Sequence, residues 1–132
     1  MKKQQIDERY VYSELSHKII GAAFDTFNSV GPGRPEKTFQ RIMGMELKER
    51  DLHFKEQVVA DLFHKSMRVG TRRFDFVIEE KIVVELKVGS FLAKSDFEQL
   101  HEYLVMSGMQ LGLLILFSNN GVVVKRIVNL HQ

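Results

Sequence analysis

From Ser13 onward the apolar residues Leu15, Ile19, Ala22, Ala23, Phe27 and Val30 recur mostly at steps of three and four, the period of an α-helix. Ser13 carries the hydroxyl that suits a helix start, and the helix is expected to close near Asn28. Gly31-Pro32-Gly33-Arg34-Pro35 reads as a turn. Pro35 then suits the first position of a second helix, where its missing N–H costs no hydrogen bond. Phe39, Ile42, Met43 and Leu47 give that helix a buried stripe that ends at about Arg50.

Beyond Leu52 the pattern changes to strands. Residues 53–64 hold Val58, Val59, Leu62 and Phe63, and residues 69–78 and 81–88 form two more strands. The links around Lys65-Ser66 and Glu79-Glu80 are short, which implies an antiparallel meander. Ser95 or Asp96 is expected to cap a third helix in which Phe97, Leu100, Leu104 and Val105 follow helical spacing up to Gly108. Residues 111–117 are apolar almost throughout, as in a strand buried on both faces. A helical crossover leads into them, so this strand should run parallel to the third. Asn120-Gly121 is a hairpin signal that returns the chain over residues 122–128. The expected fold is α+β: a mixed sheet of about five strands flanked by helices, in one domain spanning residues 1–132, with residues 1–10 flexible.

Composition narrows the chemistry. A chain of 132 residues with 44% hydrophobic and 27% charged residues is globular, and its size allows about two-thirds of the unfolded surface to be buried in one core. A formal net charge of +2 does not by itself demand nucleic acid as a partner. The absence of cysteine removes disulfides, thiolate zinc sites, iron–sulfur clusters and cysteine nucleophiles. The histidines, His17, His53, His64, His101 and His131, lack the two-ligand helical spacing of a zinc site. Neither a Gly-x-Ser-x-Gly elbow nor the Lys-Ser/Thr of a phosphate loop is present. Met1 to Asp7 lacks the apolar run of a signal peptide and no stretch reaches the roughly 20 apolar residues of a membrane span, so a soluble, cytoplasmic protein without a membrane partner is expected.

Two strands carry charges that a core strand has no need of. Arg73-Phe74-Asp75-Phe76-Val77 is followed ten positions on by Val83-Val84-Glu85-Leu86-Lys87-Val88. Side chains on a strand alternate, so Val83, Glu85 and Lys87 share one face. A solvated face would be polar at 83 as well; this one turns charged only toward its end, as where a buried strand opens into a cleft. Carboxylates gathered on adjacent strands collect a divalent cation, and hard oxygen ligands favour magnesium or manganese. With a lysine to neutralise charge in the transition state, the set fits metal-assisted hydrolysis of a phosphodiester. If Asp75 and Glu85 face one cation, they should stand opposite each other, with Val77 facing Val83 and Arg73 facing Lys87.

The order of these residues resembles the PD-(D/E)XK nuclease superfamily, and within it the small bacterial GxxExxY family. The resemblance runs from about Ser16 to Leu130. Gly33-Arg34-Pro35-Glu36-Lys37-Thr38-Phe39 matches the naming motif, with phenylalanine where tyrosine is usual. Arg72-Arg73-Phe74-Asp75-Phe76 matches the acid-bearing strand, Val83-Val84-Glu85-Leu86-Lys87 the Glu-x-Lys strand, and Gln99-Leu100-His101-Glu102-Tyr103-Leu104 the glutamine helix. The resemblance implies a restriction-endonuclease-like core with an extra N-terminal helix. It implies Asp75 and Glu85 as metal ligands, Glu36 approaching the metal from the second helix directly or through water, and Lys87 as charge stabiliser. Gln99 would orient the attacking water or a phosphate. Phe39 removes a hydroxyl beside the site and leaves the ligands untouched. The implied substrate is DNA in preference to RNA, and the small size makes a homodimer plausible.

Each residue also has a plainer role. Glu85 and Lys87 could form an ion pair on a solvated face, Glu36 is an acid favoured by the macrodipole in a first helical turn, and Gln99 could simply be exposed. Basic residues gather at His64, Lys65, Arg68, Arg72 and Arg73, and again at Lys125 and Arg126. Lining one cleft, they would track a phosphate backbone, with Lys65, Arg68, Arg72 and Arg73 as the nucleic-acid contacts. The competing class is an inactive module of the same fold that binds nucleic acid or a partner protein. Acids that repel phosphate favour the enzyme.

Overall fold

The computed structural model describes residues 11–130, so the flexibility expected for residues 1–10 lies outside the described residues. Helices α1 (Ser13–Val30) and α2 (Glu36–Glu49) precede strands β1 (Phe54–His64), β2 (Met67–Ile78) and β3 (Ile82–Val88); helix α3 (Lys94–Ser107) then leads to β4 (Leu111–Ser118) and β5 (Gly121–Val128). The five strands lie side by side in sequence order. The pairing of β3 with β4 is parallel and the other three are antiparallel, which is the expected mixed sheet. The turns at Lys65-Ser66 and Glu79-Glu80 place all four residues at positive φ, between 49° and 68°, the geometry whose twist matches a tight hairpin.

Two cores sandwich the sheet. On one face Ile19, Ala22 and Ala23 of α1 and Phe39, Met43 and Leu47 of α2 pack on Phe76, Val84, Leu86, Ile115 and Phe117. On the other, Leu100 and Leu104 of α3 pack with Phe74, Val83, Leu114 and Ile127. Buried on both sides, β4 has no use for polar side chains until Ser118. Its Gly112 meets a different demand: a Cβ there would lie 2.9 Å from Cγ and Cδ2 of Leu100, so glycine lets α3 approach closely. Among the described residues no helix is long and apolar enough to cross a membrane.

Some helix ends differ from expectation. Tyr12, not Ser13, occupies the cap position of α1. That helix runs to Val30 because Gly31, at φ 76°, reverses the chain while its N–H still donates to the Phe27 carbonyl at 2.8 Å. Pro35 precedes α2 in extended conformation, and its carbonyl accepts the Thr38 N–H at 3.0 Å. Ala93 stands at the cap of α3, where the Asp96 carboxylate accepts its N–H at 2.9 Å, so Asp96 supports the helix start from inside the first turn.

Candidate active site

The β2–β3 ladder begins in the expected register, Ile78 facing Ile82, Val77 facing Val83 and Phe76 facing Val84. It ends there. Asp75 does not continue it by backbone pairing; its Oδ2 accepts the Leu86 N–H at 2.7 Å. The predicted Arg73–Lys87 pair is not formed, because the strands have parted, and Arg73 faces Val59 of β1.

The neighbouring ladder is interrupted at the same place. Glu56 faces Phe76 and Val58 faces Phe74, while Gln57, at φ 51°, is unpaired opposite Asp75. Alternation therefore breaks at Asp75: Phe74, Asp75 and Phe76 are all buried, with Phe76 in the α1/α2 core and Phe74 in the α3 core. Arg73 lines a cleft against α2, whereas Arg72 stands by Glu85 and has a buried Nε without a hydrogen-bond partner.

Asp75 and Glu85 are only 6% and 8% exposed, and the two carboxyl groups interact electrostatically. Burial, then the neighbouring Asp75 carboxylate, push the Glu85 carboxyl up to about 9, against the opposing pull of Lys87 and Arg72. Asp75 has donors on both oxygens, since Gln57 Nε2 reaches Oδ1 at 3.3 Å and also donates to Gln40 Oε1 at 2.6 Å.

Glu36 opens α2 across this pair. Its carboxyl is held above the ordinary value by desolvation and then by the charge of Asp75, offset by Lys87. It lines, with Asp75 and Arg73, a cleft of about 740 Å³. Phe39, of the buried stripe of α2, does not line that cleft: it is wholly buried and stacks on Phe117 with ring centroids 4.3 Å apart. Lys87 acts electrostatically on both Glu36 and Glu85, and its Nζ lies 3.5 Å from Asp96 Oδ1.

The fold thus brings Glu36, Asp75, Glu85 and Lys87 into one electrostatic unit and adds Arg72 and Arg73 on either side of it. Gln99 lies half-buried on α3, with no hydrogen bond to these acids among the described residues. Lys65 and Arg68 lie at the far end of the β1–β2 hairpin, where Arg68 is paired with Asp61 at 3.0 Å. Arg126 is also elsewhere: it ties β5 to α1 through the Ser16 hydroxyl and the Val11 carbonyl, both at 2.8 Å. Gln57, Gln40 and Asp96 entered no sequence-based set. Only Asp96 carried a signal, as a first-turn acid, and that signal concerned the helix.

Among the described residues no three His, Asp or Glu side chains form a ready-made metal cluster. The donor chemistry nonetheless fits a hard divalent cation. Two buried carboxyl groups set close together repel when charged, and a hard divalent cation between them would relieve that repulsion.

A family model described as the PD-(D/E)XK nuclease superfamily matches residues 13–127. Among solved structures, the crystal structure of SSO0001 is similar at 18% sequence identity with a TM-score of 0.55, covering 95% of this chain and 62% of that one. The likeness is one of fold, and the chain spans less than two-thirds of that protein's length. No curated protein matches the sequence. The five-stranded mixed sheet between helices is a restriction-endonuclease-like architecture.

Proposed function

This chain belongs to the PD-(D/E)XK nuclease superfamily, and from that premise we propose that it hydrolyses phosphodiester bonds of nucleic acid, DNA in preference to RNA, using a divalent cation held by Asp75, Glu85 and Glu36. The observation that carries the reading is the pair of buried acids, Asp75 and Glu85, placed where β2 and β3 part, with Lys87 near them. Magnesium or manganese, when bound, would supply Lewis acidity toward the phosphoryl group and a water of lowered pKa.

The chain's own groups have separable tasks. Asp75 and Glu85, the latter after losing its proton, hold the cation, and Glu36 adds oxygen ligation from the opposite wall, directly or through water. Lys87, steadied by Asp96, meets the negative charge that grows on the phosphoryl oxygens. Gln99 is assigned to orient water or phosphate. The narrower placement in the GxxExxY family rests on residues 33–39 and on the order of the later motifs, and it belongs to this proposal.

The second reading, a module of this fold that binds without cutting, is favoured by the lack of a closed three-acid cluster among the described residues. Purified protein should be assayed against single-stranded, duplex and branched DNA and RNA with magnesium or manganese, beside Glu85→Ala. Cleavage that disappears in the variant supports the nuclease. Binding without cleavage, together with a melting temperature indifferent to either metal, supports the module.

A further inference from the structure

The nuclease reading leaves the cleft along α2 unexplained. Lys37, Arg41 and Lys48 line it over the length of the helix, together with Arg73 of β2. Residues 37, 41, 44 and 48 are spaced by four, three and four, so they occupy one helical stripe. The stripe spans roughly 16 Å along the axis at 1.5 Å per residue. Of the acids of α2, Glu36 lines the same cleft at its reacting end, Glu46 is engaged with Arg50 at 2.9 Å, and Glu49 is not among the lining residues.

These cations are unspent. Among the described residues Lys37, Arg41, Lys48 and Arg73 make no ion pair within 4.0 Å, whereas Arg50, Arg68, Lys87 and Lys94 all do. The cleft also contains Glu56, which lies over Gly44, where a Cβ would come within 2.8 Å of its Oε1. Over the whole cleft three acids, Glu36, Asp75 and Glu56, face four cations, and beyond the reacting end Glu56 alone stands against Arg41 and Lys48. A row of unpaired positive charge leading away from a buried acid pair suits a polyanion whose reacting phosphate sits at the acids and whose neighbours continue along the helix.

We propose that the stripe Lys37, Arg41 and Lys48, with Arg73 opposite, is a track for the phosphodiester backbone of one nucleic-acid strand, running from the acid site toward the C-terminal end of α2. This rests on the nuclease reading and extends it to residues outside the reacting set. At one phosphate per 3.4 Å of strand, the stripe passes at most about five phosphates. The same track serves a free strand or one strand of a duplex, since the chemistry recognised is the phosphate row.

The test is fluorescence anisotropy of labelled single-stranded and duplex DNA and RNA oligonucleotides in EDTA, so that nothing is cut, over a series of salt concentrations. All three stripe residues are exposed, so Lys37→Gln/Arg41→Gln/Lys48→Gln should fold, as checked by circular dichroism. Its affinity should fall at least tenfold at low salt, and the slope of log K against log salt should shrink by about two to three. Lys37→Arg/Arg41→Lys/Lys48→Arg should restore both. Whichever oligonucleotide carries these effects identifies the strand bound. Wild-type protein that binds and cleaves, beside a triple Gln variant with unchanged affinity and slope, would overturn the track and leave the nuclease standing. Wild-type protein that neither binds nor cleaves would overturn both.

Discussion

Asp75 accepts the backbone N–H of Leu86 at 2.7 Å, so a side chain of β2 satisfies β3 at the point where main-chain pairing has just ended. The gap in the sheet and the acid site are therefore one feature. Were pairing to continue past Phe76 and Val84, the Asp75 carboxylate would have no opening between the strands. The parting frees it to meet Glu85 while still answering a buried donor.

Replacing Asp75 should thus cost stability as well as cleavage. Asp75→Ala leaves the Leu86 N–H without its acceptor, a loss of about 1–3 kcal/mol for a buried donor. Relief of carboxylate repulsion offsets only part of this. Urea denaturation in EDTA measures the sum, and a variant as stable as wild type would show that the Leu86 contact is replaceable by water.

Glu85 makes the metal-free protein pH-sensitive. Its carboxyl titrates near 4.5 when unfolded and about 9 when folded. Between those values the folded chain keeps a proton that the unfolded chain has released, so this stabilisation is complete below about 4.5 and is lost as pH climbs toward 9. The limit for one proton is about 1.4 kcal/mol per pH unit. Denaturation in EDTA from pH 5 to 8 should show stability falling in wild type and a flatter profile in Glu85→Gln. Saturating magnesium should reduce the fall, because a cation takes over the role of the proton. An equally steep decline in Glu85→Gln would assign the effect to other groups.

Much of this was legible in the chain, and the rest was hidden for identifiable reasons. The tight Glu79-Glu80 link fixed the Val77–Val83 register, because a slip of one residue would expose a whole apolar face. The point where pairing stops was not legible: it coincides with the positive φ of Gln57, a residue type that announces no such conformation. Extrapolated alternation put Arg73 on the Glu85 face, yet the break at Asp75 sends Arg73 toward α2 and leaves Arg72 by Glu85. Lys125 and Arg126 looked like one basic group, but neighbours on a strand point to opposite faces, and Arg126 serves α1.

Gly112 offers a test of packing away from the site. Alanine there brings Cβ to 2.9 Å from Leu100 Cγ, so α3 or the Leu100 rotamer must move, at about 1–3 kcal/mol. Leu100→Ala alone should cost about 2–5 kcal/mol through the cavity it leaves. The double variant should cost less than the two effects together, since the new methyl enters space that Leu100 vacated. Simple additivity in denaturant melts would mean that the two residues do not share that space.

Lys87 and Asp96 should separate charge from its positioning. Lys87→Met keeps the apolar stem and all three acids, so the magnesium-dependent rise in melting temperature should persist while cleavage falls by roughly two to three orders of magnitude, the loss expected for one electrostatic contributor. Asp96→Asn keeps an oxygen for the Ala93 N–H but removes the charge 3.5 Å from the Lys87 ammonium. The ion pair is partly exposed, so stability should change by no more than about 1 kcal/mol. Its effect should appear in kcat rather than KM, with a loss of about tenfold, because Lys87 stays charged but is less well held. Asp96→Glu, which can reach Lys87 again, should recover part of it. A single-turnover cleavage assay checks all three variants. Equal activity in Lys87→Met and wild type would remove the lysine from the chemistry, and with it the reason for Asp96 to stand beside it.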